Sequence, residues 1–362
     1  MTPSLRYEIE HHITSIREDD QDATCTVRRN GKVFYINISP LNFVNSPIMT
    51  SKYVSYLEVL KSGEEVFNDI YDTDVYEWIM QPFEQLFAEL APCPSTAPKE
   101  IRITLQEHLF PVFFVFALNI VDEELRPRRI PADRSPQWPS FVRFDDDFLD
   151  DLETWTAFYD PVGIVLSYKN PEDALFKPPR KVLIDNGQTE CFFKPCYSVV
   201  QATEELKAYK KIHRSDLNTK LNICHLHGVV MDDCDFILGL LLTHVACDDR
   251  SLSARVHPDD SDDPAYASRR RWMNQLETAL SALHDNGITW GDVKADNVLI
   301  DRDNNAWMVD FGGGYTQGWV TKEMAGTVEG DLSGMAKLRK FLFPSEEVQG
   351  DLQSSTTVTG VM

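Results

Sequence analysis

Asp292, Lys294, Asn297 and Asp310 are the residues of this 362-residue chain whose types and spacing could do chemistry together. Residues 288–301 read Ile-Thr-Trp-Gly-Asp-Val-Lys-Ala-Asp-Asn-Val-Leu-Ile-Asp, and after eight more residues Asp310 opens an Asp-Phe-Gly triplet. Lys294 follows Asp292 by two positions and Asn297 follows it by five, with Asp310 thirteen beyond Asn297. Moving a phosphoryl group onto a hydroxyl needs a carboxylate beside the attacking oxygen, a cation beside the moving group and oxygen ligands for a divalent cation. These four side chains supply that set. An ordinary hairpin would explain the apolar runs 298–300 and 307–309 and the polar turn 301–305, but not a Lys and an Asn at these offsets.

Several elements must hold such a loop. The pattern predicts a helix over 269–286, with Trp272, Leu276, Ala279, Leu280 and Leu283 on one face and Gly287 just past its end. It runs directly into the loop at 288. Further upstream, Cys191-Phe-Phe-Lys194-Pro reads as an apolar strand ending in a cation. Residues 203–213 read as a helix with Leu206, Tyr209 and Ile212 facing a core. Residues 236–245 read as a buried strand running into a connector.

The order catalytic Asp, Asn, then Asp-Phe-Gly resembles the active site of the protein-kinase superfamily over about residues 150–345, with the flavour of its divergent fungal members. The resemblance implies an α+β, two-lobed fold: a small β-rich N-lobe, and a helical C-lobe that is truncated distally. It implies ATP and Mg²⁺ as cofactors. Asp292 would be the catalytic base and Lys294 would neutralise the transferring group, while Asn297 and Asp310 would hold the metal. Lys194 would grip the α/β-phosphates, fixed by Glu205, with the neighbouring Glu204 as the alternative. Leu242 would sit behind the adenine, and the backbone of Thr243 and Val245 would hydrogen-bond its edge. The start of the helix whose Asp anchors the catalytic-loop backbone is resembled by 327–334, with Asp331 in that position.

The chain also departs from the family. No Gly-x-Gly-x-x-Gly phosphate loop is visible, since Gly163 and Gly187 stand alone. Trp290-Gly291 replaces the common His-Arg, so an activation-loop phosphate has no arginine to meet there. The segment 312–320 is short, Ala-Pro-Glu is absent with Lys322-Glu323 near its place, and few residues follow. A protein Ser or Thr is the expected acceptor. The alternatives are a small-molecule acceptor, as in aminoglycoside- or choline-type kinases, which commonly have Gly before the Asp, and a nucleotide-binding pseudokinase or scaffold.

Composition sets the remaining bounds. A net charge of −22 argues against sequence-independent nucleic-acid binding and against docking on an anionic membrane. The longest apolar run, 109–121, contains Pro111 and is too short to span a bilayer. Seven cysteines without a Cys-x-x-Cys pair read as reduced, mostly buried thiols, which with no apolar leader suggests a cytoplasmic or nuclear protein. Residues 1–140 are expected to form an extra N-terminal α/β domain of unknown role, without a catalytic constellation. In it, Asn30-Gly31 predicts a hairpin, 53–60 and 75–90 predict helices, and 101–121 predicts a further strand or buried segment. The proline-bearing 126–140 reads as a linker and the acidic 145–151 as a solvated helix start. A kinase-like domain follows at 141–346, with an N-lobe to about 245 and a C-lobe from about 246, and 347–362 is a polar tail.

Overall fold

The computed structural model describes residues 7–15, 20–93, 101–136, 141–215, 217, 221–247, 251–256, 266–313 and 316–344. The expected tail at 347–362 lies outside them. The chain packs as two units, one of residues 1–139 and 161–189 and the other of 140–160 and 190–362.

The first unit is a five-stranded sheet with helices. Its strands are β1 (Glu8–Thr14), β2 (Ala23–Arg29) and β3 (Lys32–Val44), then, past the helices and the short hairpin β4 (Val66–Phe67) and β5 (Ile70–Tyr71), β6 (Val112–Val121) and β7 (Glu124–Ile130). They lie in the order β1-β2-β3-β6-β7, with β3 and β6 parallel and the other pairs antiparallel. Asn30 and Gly31 make the turn between β2 and β3 with φ of 48° and 74°, the left-handed pair that a two-residue hairpin requires. Alternation along β3 sends Phe34, Ile36 and Ile38 into a core shared with α1 (Pro47–Ser62), α2 (Asp72–Met80) and α3 (Glu84–Leu90), while Val33 and Tyr35 pack on the opposite face.

Two expectations are corrected in this unit. The helix expected over 75–90 is broken by a 3₁₀ turn at Gln81–Phe83, because Pro82 cannot donate to the helical ladder. The expected linker from 126 is, up to Ile130, strand β7: Pro127 opposes Leu118 on an edge strand, where its missing N–H costs no ladder bond. Within 101–121, a short helix α4 (Leu105–Leu109), closed by a Thr104–Glu107 capping box, precedes β6.

Residues 140–160 open the second unit with β8 (Val142–Arg143), α5 (Asp146–Glu153) and β9 (Ala157–Tyr159). The acidic run is a helix start, with Asp145 capping the Phe148 N–H. The chain then returns to the first unit with β10 (Val165–Leu166) and β11 (Lys181–Ile184), an antiparallel pair whose connection, 167–180, contains no glycine.

The rest of the second unit carries β12 (Thr189–Pro195), α6 (Val199–Arg214), β13 (Leu226–Met231), β14 (Phe236–Thr243), α7 (Tyr266–Asp285), β15 (Val298–Ile300), β16 (Ala306–Met308) and α8 (Val328–Leu342). Strands β12 and β13 flank β14 antiparallel, β9 runs parallel to β13, and β8 pairs with the start of β14. Helix α7 buries Trp272, Leu276, Ala279, Leu280 and Leu283, and begins three residues before the expected start. Gly287, at φ 66°, ends it with a left-handed turn in which the Ile288 N–H donates to the Leu283 carbonyl. No described helix is long and apolar enough to cross a membrane. None of the seven cysteines forms a disulfide, and five are buried.

Candidate active site

Strand β12 ends by turning Lys194 toward α6. Its Nζ donates to both oxygens of Glu205, at 2.9 and 2.8 Å, and to Asp310 Oδ1 at 2.5 Å. Glu205 is buried at 3 % exposure because it shares the inward face of α6 with Leu206, Tyr209 and Ile212. Glu204, the alternative, is exposed and pairs with Lys207 instead. Burial alone would lower the Lys194 pKa, but the Glu205 and Asp310 carboxylates overcome it and hold the ammonium above the ordinary lysine value. Burial pushes the Glu205 carboxyl up to about 7 against the opposing pull of Lys194.

A second cluster forms around Asp292, which is buried at 7 % exposure. Lys294 Nζ donates to Asp292 Oδ2 at 2.6 Å, and Asn297 Nδ2 donates to the Asp292 carbonyl at 2.9 Å and to Oδ2 at 3.1 Å. Thr316 donates to the other carboxylate oxygen at 3.0 Å and also accepts from Lys294 at 2.9 Å. Asp292 therefore has both oxygens fixed, and Lys294 is tied to it rather than loose in solvent.

The β15–β16 hairpin joins the two clusters. The Val309 N–H donates to the Asn297 carbonyl at 3.1 Å, so the residue before Asp310 is bonded directly to Asn297. Asp301 closes the hairpin turn by accepting from the backbone of Asp303 and Asn305 and from Trp307 Nε1. Asp310 has φ 63°, a left-handed conformation that Asp tolerates better than most residues. Phe311, buried at 1 % exposure, packs edge-on against Tyr209 of α6 with ring centroids 5.9 Å apart.

The loop is anchored from below by α8. Asp331, 1 % exposed, accepts from the Trp290 and Gly291 N–H groups at 2.8 Å each and contacts His284 Nε2 at 2.9 Å. Gly334 lets α8 lie against Val293, where a Cβ would come within 2.6 Å of the Val293 side chain. The departure at Trp290-Gly291 has a local cause. Gly291 sits at φ 92°, and a Cβ there would lie 2.7 Å from the Gly313 Cα, so no arginine fits. Trp290 is fully buried and donates to the Val309 carbonyl at 2.8 Å, a second tie between the loop carrying Asp292 and the segment that leads from β16 to Asp310.

Thr243 and Val245 lie at the end of β14 and just beyond it. The Thr243 N–H is spent on the His225 carbonyl at 2.9 Å, which leaves its carbonyl as the group able to meet a base edge. The Val245 carbonyl accepts from Cys247, while its N–H has no partner among the described residues. The oxygen chemistry for a hard cation is present: Asn297 turns its amide nitrogen to Asp292, freeing Oδ1, and Asp310 keeps a second carboxylate oxygen beyond the one facing Lys194. Sequence reading did not single out Thr316 or His284. Thr316 had only the signal of being a hydroxyl residue six positions after Asp310.

Comparison with known proteins agrees with this arrangement. Residues 194–329 match the family model of the protein kinase domain. The chain is 36% identical over 91 residues to the hormonally up-regulated neu tumor-associated kinase of Mus musculus, a stretch covering 25% of this chain and 12% of that protein. It is 29% identical over 91 residues to the serine/threonine-protein kinase ppk34 of Schizosaccharomyces pombe, covering 25% of each. It is 33% identical over 90 residues to the serine/threonine-protein kinase PknD of Mycobacterium tuberculosis, covering 24% of this chain and 13% of the relative. The matched stretches thus span a quarter or less of these relatives' own lengths.

Proposed function

Because this chain belongs to the protein-kinase superfamily, we propose that it is a Mg²⁺-dependent phosphotransferase moving the γ-phosphoryl of ATP to a hydroxyl, that of a protein Ser or Thr. The observation that carries this is the joint engagement of Lys194 with Glu205 and Asp310, in a unit where Asp292, Lys294 and Asn297 form one hydrogen-bonded cluster. In this reading residues 141–346 form the two lobes, with the N-lobe to about 245 and the C-lobe from about 246, and residues 1–140 form a separate domain. None of the seven cysteines forms a disulfide, which favours a reducing, cytoplasmic or nuclear setting.

Each residue has a derivable task. Lys194, held charged by two carboxylates, binds the α/β-phosphates, and Glu205 keeps its stem from swinging away. Asn297 and Asp310 would hold Mg²⁺, which on binding neutralises charge on the β- and γ-phosphates. Asp292 accepts the proton of the attacking hydroxyl, and Lys294 stabilises negative charge on the transferring group. Thr316 fixes the rotamer of Asp292 from the side opposite Lys294 and Asn297. Val245 offers an open N–H and Thr243 a carbonyl to the adenine edge.

Thr316→Ala is expected to lower kcat by about tenfold, the loss of roughly one positioning hydrogen bond, with KM for ATP little changed. Thr316→Ser should restore most of it. Equal turnover in all three proteins would remove Thr316 from the mechanism.

Glu205 gives a pH dependence. Protonation of the carboxyl as pH falls through about 7 weakens its hold on Lys194, so kcat/KM for ATP should fall on the acid side with an apparent pKa near that value. Glu205→Gln should lower the plateau and flatten this limb. The folded carboxyl binds its proton more tightly than the unfolded one, so this group favours folding at acid pH and that contribution is lost as pH rises through about 7. Activity and stability should therefore move in opposite directions across this window, read by a pH–rate profile beside a thermal melt.

A second reading, transfer to a small-molecule hydroxyl, is favoured by Gly291 directly before Asp292. Lys294 two positions after Asp292 and its bond to Thr316 favour protein substrates. Labelled ATP offered with a mixture of acceptor proteins and with a panel of hydroxyl metabolites separates the two. Label on protein supports the first reading, and label only on a metabolite replaces it with the second.

A further inference from the structure

The dipeptide Asn-Gly occurs three times in the chain, at 30–31, 186–187 and 286–287. In this pair an asparagine is readily attacked by its own chain, because glycine has no side chain to shield the backbone nitrogen that follows the amide. The attack has two requirements. The side chain must be able to bring its Cγ onto that nitrogen, and the nitrogen must give up its proton rather than hold it in a hydrogen bond. Folded structure therefore decides which of three chemically equal sites reacts.

Two of the three are locked. Asn30 Nδ2 donates to the Ala91 carbonyl at 2.8 Å, while the Gly31 N–H donates to the Leu175 carbonyl at 2.7 Å. Asn286, just past α7, donates from Nδ2 to the Ala282 carbonyl at 2.8 Å, and the Gly287 N–H donates to the His284 carbonyl at 2.9 Å. Asn186 differs on both counts. It lies in the exposed turn between β11 and β12, where neither its side chain nor the Gly187 N–H has a hydrogen-bond partner among the described residues. The turn's own bonds run from the Gln188 N–H to the Ile184 and Asp185 carbonyls and pass it by. Nothing lies within 4 Å of where a Gly187 Cβ would sit, so the nitrogen is open to approach. Asp185, Asn186 and Gly187 have φ of 51°, 57° and 87°. A run of left-handed residues is unfavourable for the two that carry a Cβ, which makes this turn cheap to leave.

We propose that Asn186 is a site of spontaneous deamidation in the folded protein, and the one of the three that reacts. The Gly187 nitrogen loses its proton to hydroxide and attacks Asn186 Cγ. The new C–N bond closes a succinimide ring, and the side-chain nitrogen leaves as ammonia. Water then adds to either ring carbonyl and breaks one of the two ring C–N bonds. One opening gives aspartate at position 186. The other gives isoaspartate, in which the main chain runs through the former side-chain carbon and is one methylene longer. Both products place a new negative charge beside Asp185, whose carboxylate already accepts from the Thr189 hydroxyl across the turn at 2.8 Å. The isoaspartyl form is a substrate for the class of methyltransferase that esterifies isoaspartyl carboxylates. None of this depends on the phosphotransferase reading.

Peptide mapping by mass spectrometry over time tests this, on the full chain held folded at mildly alkaline pH and, in parallel, in denaturant. In the folded chain Asn186 is expected to convert to both aspartyl and isoaspartyl products. Asn30 and Asn286 should convert more slowly by about tenfold or more, since each must first break two hydrogen bonds. In denaturant the three rates should converge. Conversion at Asn186 should quicken as pH rises, because the deprotonated nitrogen is the nucleophile. Asn186→Gln keeps an amide at this exposed position but sets it one methylene too far for the same ring. It should remove the acidic species that otherwise accumulates on isoelectric focusing, at a thermal melt equal to the parent's. The comparison of folded with denatured chain needs no variant, so the test stands even where the substitution disturbs the turn. Conversion of Asn30 or Asn286 as fast as Asn186 in the folded chain would overturn the proposal. So would an Asn186 that survives while the denatured chain converts, or aspartate formed with no isoaspartate.

Discussion

Asp292→Asn is expected to lower kcat by about 10²–10⁴-fold while leaving the protein folded. Asparagine matches aspartate in shape, so Lys294, Asn297 and Thr316 keep a side chain to pack and bond against. On the proposed mechanism, what would be lost is the capacity to accept a proton from the attacking hydroxyl, together with the negative charge that holds Lys294. KM for ATP should move little, because the proposed nucleotide contacts are Lys194, Val245 and the residues proposed to hold the metal. Turnover in the variant equal to that of the parent, at unchanged thermal stability, would remove Asp292 from the chemistry.

Asp331→Ala is expected to act through the fold instead. The carboxylate satisfies two buried backbone N–H groups of the catalytic loop and meets His284, all within 2.9 Å. Removing it strands those donors out of reach of water, at a cost of about 3 kcal/mol or more. Both the denaturant midpoint and kcat should fall together, since Gly291 and Asp292 lose their anchor. Asp331→Asn should be intermediate, as an amide oxygen can serve only part of the set. A stability equal to the parent's would mean that the loop is held chiefly by Trp290 and its bond to the Val309 carbonyl.

The two variants separate chemistry from architecture. Asp292→Asn should cost activity without stability, and Asp331→Ala should cost both.

The site was legible in the chain to the extent that its residues are close in sequence or carry a periodic signature. Asp292, Lys294 and Asn297 fall within six residues, and the α6 face that buries Glu205 follows from its spacing to Tyr209 and Ile212. The long helix α7 was equally readable, because five apolar positions at helical spacing end in a glycine. Thr316 was not legible, since its role depends on how the chain folds back after Asp310. The reason for Gly291 was hidden too, because the atom that excludes a side chain there belongs to Gly313, twenty-two residues on. In the first unit, the misreadings at 75–90 and 126–130 share one cause. Each contains a proline whose effect depends on context: Pro82 breaks a helix that periodicity alone would continue, and Pro127 is accommodated on an edge strand that composition alone reads as a linker.

The most direct test of the central claim is calorimetric binding of ATP with Mg²⁺ and again with EDTA, on the parent chain and on Asp310→Ala. The account predicts binding to the parent that is markedly tighter with Mg²⁺, and a variant for which the metal makes no difference, because Asp310 supplies the one carboxylate of the proposed metal site. No ATP binding, or binding of equal strength with Mg²⁺ and EDTA in the parent, would contradict a metal-dependent phosphotransferase and leave a scaffold built on the same fold.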